Sequence, residues 1–71
     1  MYKKLQMLIK SVGITQIELA KILNVKPLTI WHRMNGKRDF KLTEAIAIKD
    51  YLNKILNANY TVEEIFEKEE N

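Results

Sequence analysis

The chain has 71 residues, a formal net charge of +3, no cysteine and one histidine. A chain of this length forms one domain that buries only about 60% of its unfolded surface, and without cysteine it has no disulfide or thiolate zinc site. No apolar run approaches the roughly 20 residues of a membrane span and no signal peptide is visible, so we expect a cytoplasmic protein with no membrane contact, metal or other cofactor.

Helical spacing of the apolar residues dominates the chain, and no segment shows sustained two-residue alternation. The sequence therefore predicts an all-α fold. The first helix is expected from about Tyr2 to Ser11, with Gly13 as the left-handed residue that ends it. Its apolar stripe has helical spacing and consists of Leu5, Leu8, Ile9 and Val12.

The second helix is predicted to open at Thr15, because Thr15 and Glu18 have the spacing of a capping box. It ends near Leu23 or Asn24, and its inner face carries Leu19 and Ala20.

The third helix follows after a turn of three residues, 24–26, in which Val25 packs inward. Pro27 suits its first position, Ile30 and Met34 form its buried side, and Gly36 ends it.

The fourth helix is expected from about Leu42 to residue 56, on the strength of apolar residues at Leu42, Ala45, Ile46, Leu52, Ile55 and Leu56. A break at 57–60 precedes a second capping box, formed by Thr61 and Glu64, which opens a short fifth helix. The predicted organisation is one domain, 1–66, and an acidic tail, 67–71.

Further apolar side chains are assigned by their simplest role. Met7 and Met34 are interpreted as core residues, and Phe40 as a cover on the same core. Two interpretations remain for a last group, which forms either a satellite core or a dimer surface: Tyr51, Tyr60, Val62 and Phe66.

The second and third helices, joined by three residues, match the DNA-binding helix-turn-helix. The positive charge of the chain is concentrated in the half that contains this motif. Residues 1–41 hold nine Lys or Arg and two acids, a net +7, and residues 42–71 hold three Lys and seven acids, a net −4. A basic half favours a polyanion as partner, although ordinary surface charge explains the same counts without the motif.

The stretch GITQIELAKILNVKPLTIWHRMNGKRDFKLTEAIAI, with TVEEIF near the end, resembles the Cro/CI-type (lambda-repressor-like, XRE) helix-turn-helix domain over about residues 2–66. The resemblance implies a compact five-helix DNA-binding domain. It also implies a phosphate contact by Gln16 and backbone contacts on the other side by Asn35 and Lys37. About six extra residues, around 53–60, depart from the family in the region that often forms its dimer.

The expected DNA-reading face belongs to the third helix and its flanks. It comprises Lys26, Leu28, Thr29, Trp31, His32 and Arg33, with Lys37 and Arg38 beside it as phosphate contacts. Pro27 and Leu28 have side chains that neither donate nor accept hydrogen bonds. The base contact open to Leu28 is therefore an apolar one with the methyl group of thymine. His32 is the best direct reader of a base, unless it is an ordinary solvated histidine.

Trp31, the single tryptophan, has three possible places: against DNA, against a protein, or in the core. An exposed tryptophan typically marks an interface.

These observations favour a sequence-specific transcriptional regulator, a phage- or mobile-element-type repressor that binds double-stranded DNA as a homodimer. The alternative is a protein-interaction module that binds and modulates a partner repressor through the face of the third helix. No nucleophile elbow, phosphate loop or zinc ligand set is present, so we expect neither catalysis nor a small-molecule substrate.

Overall fold

Five α-helices make up the regular structure in the computed structural model, which describes residues 2–68. No strand occurs in that range. The predicted helix boundaries are confirmed to within about one residue. The helices are α1 (Lys3–Val12), α2 (Gln16–Leu23), α3 (Pro27–Met34), α4 (Leu42–Leu56) and α5 (Val62–Ile65). They pack into a globule of 30 × 30 × 21 Å.

The local signals for helix ends are confirmed. Gly13 adopts a left-handed φ of 77°, and its N–H closes α1 on the carbonyls of the last turn. The Thr15 hydroxyl accepts from the Glu18 N–H at 3.1 Å while the Glu18 carboxylate accepts from the Thr15 N–H at 3.1 Å. Thr61 and Glu64 repeat this arrangement at the start of α5. Each capping box satisfies N–H groups that would otherwise lack a partner.

The connection from α2 to α3 is as short as the sequence predicts. Asn24 takes a left-handed φ of 56°, and the Val25 N–H donates to the Ala20 carbonyl at 2.9 Å. Val25 is partly buried against the core. Pro27 then occupies the first position of α3, where its missing N–H leaves no hydrogen bond unmade.

The core is entirely apolar and draws on all five helices. Its fully buried large side chains are Leu5, Leu19, Ile30, Ile48, Leu52 and Ile65. Met34 is buried as predicted. Met7, however, is 60% exposed, so its assignment to the core is wrong. The buried side chains of α1 are Leu5, Leu8 and Ile9, and Met7 lies outside this stripe.

Three aromatic rings join the two ends of the chain. Tyr2 is buried, which the sequence analysis did not anticipate, and its ring contacts Phe40 and Phe66 edge-on at centroid distances of 5.3 and 5.8 Å. Phe40 and Phe66 contact each other at 5.1 Å. Edge-to-face geometry of this kind adds to the gain from burial alone. Phe40 therefore covers the core as predicted.

The segment between α4 and α5 is held by side-chain hydrogen bonds. The Asn53 amide donates to the Tyr60 carbonyl at 2.9 Å, and its oxygen accepts from the Tyr60 N–H at 2.8 Å. Tyr60 and Phe66 are partly buried against the main core.

The predicted tail, 67–71, is described only at its start. Lys68 bonds to Asp39 at 2.7 Å, which connects the end of α5 to the loop before α4, and residues 69–71 lie outside the described range. Over residues 2–68, no helix is long and apolar enough to cross a membrane.

One ion pair ties α3 to α4. The Arg33 Nε lies 2.8 Å from one Glu44 carboxylate oxygen, and a terminal nitrogen lies 3.3 Å from the other. Both side chains are nearly buried, with 13% and 11% of their surfaces exposed. A two-point guanidinium–carboxylate contact is among the stronger hydrogen-bonded pairs.

The pKa of Glu44 reflects a contest between burial and hydrogen bonding. Burial is the largest single influence and acts to raise it, but the hydrogen bonds from Arg33 and from the Lys41 backbone, with the charges of both residues, together outweigh burial. The pKa of the folded carboxyl therefore lies below its ordinary value of 4.5.

A lowered pKa in the folded state means that the ion pair stabilises the fold above pH 4.5 and is lost as the pH falls through the folded value. We expect Glu44→Gln to reduce the free energy of unfolding at pH 7 by about 1–3 kcal/mol. The deficit should shrink as the pH falls below the ordinary value. Urea titrations at pH 7 and at pH 3 measure both quantities.

Asp50→Asn is the matched control, because Asp50 pairs with Lys49 while its side chain is 66% exposed. Exposed pairs contribute about 0–1 kcal/mol, so this variant should remain close to wild type at both pH values. A Glu44→Gln variant as stable as wild type at pH 7 would contradict the assignment.

Candidate nucleic-acid interface

The outer surface of α3 is free of other helices. At 3.6 residues per turn, Ile30 and Met34 share one side, and both are buried. Leu28, Trp31 and His32 fall within an arc of about 100° on the other side. Burial of the first pair therefore determines which side chains α3 presents outward.

Two apolar residues dominate this outward surface. Leu28 is 64% exposed and Trp31 is 45% exposed, which removes the core as a place for Trp31. The Trp31 and His32 rings meet edge-on with their centroids 5.4 Å apart. Thr29, by contrast, is half-buried at the margin of the surface.

The carboxyl end of α3 is closed by its own polar groups. The Asn35 side-chain amide donates to the Trp31 carbonyl at 2.8 Å, and the Lys37 N–H donates to the His32 carbonyl at 2.9 Å. Gly36 has a left-handed φ of 75°. These bonds direct the chain back across the helix end and hold residues 36–38 next to α3.

Cationic side chains stand at both ends of α3. Lys26 is exposed immediately before the helix, and Lys37 and Arg38 are exposed immediately after it. Asp39 follows them, but its carboxylate binds Lys68 at 2.7 Å. Hydrogen bonding and charge from Lys68 hold the pKa of Asp39 below its usual value. The apolar centre of the surface is thus bracketed by positive charge.

Gln16 is exposed at the first position of α2. The Glu18 carboxylate is engaged with the Thr15 N–H and hydroxyl, which leaves the Gln16 amide as a neutral donor at this helix end. The N–H groups of a first helical turn favour an anion.

Arg33 does not join the outward surface, although it was included in the expected DNA-reading set. Its guanidinium is occupied by Glu44, so the structure assigns it to the α3–α4 contact. Glu44 is the one partner in this region that the sequence analysis missed. The two residues are eleven positions apart, and no local pattern links them.

Of the ten predicted site residues, the structure brings seven together along the outward side and the two ends of α3. They are Lys26, Leu28, Trp31, His32, Asn35, Lys37 and Arg38. Gln16 lies on α2, Thr29 lies at the margin, and Arg33 is turned to α4. Among residues 2–68, no three histidine or acidic side chains cluster as metal ligands.

Comparisons with protein-family models, with curated proteins and with solved structures give no match for this chain. Interpretation of the surface therefore depends on its own geometry and charge.

Proposed function

We propose that the protein is a sequence-specific DNA-binding transcriptional regulator, and that α2, the turn and α3 are its helix-turn-helix. One observation carries the proposal: the side of α3 opposite the buried Ile30 and Met34 is uncovered and bracketed by the cations of Lys26, Lys37 and Arg38. Five helices in this order also agree with the resemblance to Cro/CI-type domains.

The dimensions of α3 suit a major groove. An α-helix with its side chains is about 10–12 Å across, and the major groove of B-DNA is about 12 Å wide. With α3 in the groove, the exposed cations at its ends would lie near the phosphate backbones that border the groove. Lys37 and Arg38 would contact one backbone, and Gln16 at the start of α2 would contact the other.

A homodimer is the simplest way for a single small domain to select a long site. Two copies would occupy half-sites about 34 Å apart. Apolar surface for such a contact is present outside α3, because Leu42 is 69% exposed on α4 and Ile46 is exposed one turn later. Val62 lines the same surface pocket of the protein as Leu42. Bound to the DNA that flanks its own gene, the dimer would act as a repressor of phage or mobile-element type.

The salt dependence of DNA binding tests the proposal. The logarithm of affinity should fall with the logarithm of salt concentration, with a slope of about −0.9 for each phosphate neutralised. Replacing Lys37 and Arg38 together by Gln should make the slope less steep by about 1.8 per protomer. Fluorescence anisotropy measures this slope, with a labelled duplex from the DNA that flanks the gene, over about 50 to 200 mM salt.

Lys54→Gln is the control, since it removes one positive charge from an exposed position in the last turn of α4, about 15 Å along that helix from Glu44. Its slope should equal that of wild type. Equal slopes for all three proteins, or failure to protect any site in a footprint at moderate salt, would exclude the proposal.

A second candidate function is favoured by the exposed Leu28 and Trp31, whose side chains also suit a protein contact. In this case the chain would bind and modulate a partner repressor. Trp31 is the single tryptophan, so its emission reports on either partner. If the chain binds DNA through α3, duplex DNA should protect Trp31 from quenching by acrylamide. Protection by a repressor encoded nearby, with none by DNA, would instead support the second function.

A further inference from the structure

Apolar atoms occupy the part of α3 where a base-reading helix would present hydrogen-bonding groups. Leu28 projects from the middle of the outward arc, and Trp31 lies one turn away on the same side. We call these two side chains the Leu28–Trp31 ridge. Pro27, before the ridge, also has no side-chain donor or acceptor. Sequence discrimination by paired hydrogen bonds is therefore excluded at the start of this helix.

The ridge takes no part in the packing of the core. Ile30 and Met34 already supply the contact of α3 with the core, and Leu28 leaves nearly two-thirds of its surface in water. An exposed leucine beside an exposed tryptophan gains free energy when an apolar surface covers both. The position of the ridge between exposed cations restricts the choice of partner.

Charge complementarity favours DNA as the covering surface. Lys26 stands before the ridge and Lys37 and Arg38 stand after it, so the ridge lies between positive charges that an anionic partner would neutralise. The only apolar group that base pairs present in the major groove is the C5-methyl of thymine. We propose that the Leu28–Trp31 ridge binds thymine methyl groups, so that the preferred duplexes carry thymine where α3 enters the groove. This inference rests on the proposed DNA-binding function.

Substitution of uracil for thymine removes the methyl group and keeps base pairing, so it isolates this contact. Duplexes of 24 base pairs (about two helical turns) with a random centre are first selected with the wild-type protein. The selected pool is then copied once with dTTP and once with dUTP. Each buried methyl is worth about 0.8 kcal/mol, a factor of about four. We expect the uracil pool to bind at least fourfold more weakly.

Variants assign the loss to the ridge. Leu28→Ala removes one exposed side chain of the ridge without touching the core and should lower the thymine-to-uracil affinity ratio toward one. Met7→Ala is the matched control, because Met7 is a similarly exposed apolar side chain on another helix. It should keep both the wild-type ratio and the wild-type affinity. Circular dichroism of both variants checks that the helices are intact.

The outcomes separate this inference from the function on which it depends. Equal binding of the thymine and uracil pools by wild type, with sequence selection intact, would overturn the role of the ridge and leave DNA binding in place. A wild-type ratio retained by Leu28→Ala would also overturn it. No enrichment of any duplex and no salt-dependent binding would refute the DNA-binding function itself. Protection of Trp31 by a partner protein alone would assign the ridge to a protein.

Discussion

Burial of Ile30 and Met34 is the constraint on which the candidate interface depends. A helix of eight residues is too short to be stable in water alone, so α3 exists because these two side chains are enclosed by the core. The same burial orients the helix and determines that Leu28, Trp31 and His32 face outward. The Arg33–Glu44 pair adds a second attachment, from α3 to the first turn of α4.

Local signals predicted most of the fold. The capping boxes at Thr15 and Thr61, the left-handed Gly13 and the first-position Pro27 set the helix ends, because each depends on residues close together in the chain. Specific pairings between distant segments, such as those of Tyr2 and Arg33, escaped prediction. Tyr2 is buried by rings from residues 40 and 66, and no local pattern predicts that neighbourhood.

The candidate site, too, was predictable where local spacing determines it and unpredictable where distant contacts do. The spacing of Leu28, Trp31 and His32 on one side of a helix follows from the helical period, and the sequence analysis placed them correctly on one face. The position of the Arg33 guanidinium, by contrast, depends on a carboxylate eleven residues away. Met7 was assigned to the core by residue type, outside the periodic stripe of α1, and it is exposed. The stripe itself correctly predicted that Leu5, Leu8 and Ile9 are buried.

The most direct test of the account is a map of where DNA contacts the chain. Amide chemical shifts of ¹⁵N-labelled protein are compared before and after addition of a duplex from the flanking DNA at low salt. The account predicts changes concentrated in the first turn of α2, in α3 and in residues 36–38, with the Trp31 indole N–H among the most affected. Changes confined to α4 and α5, or an unaltered spectrum, would contradict it.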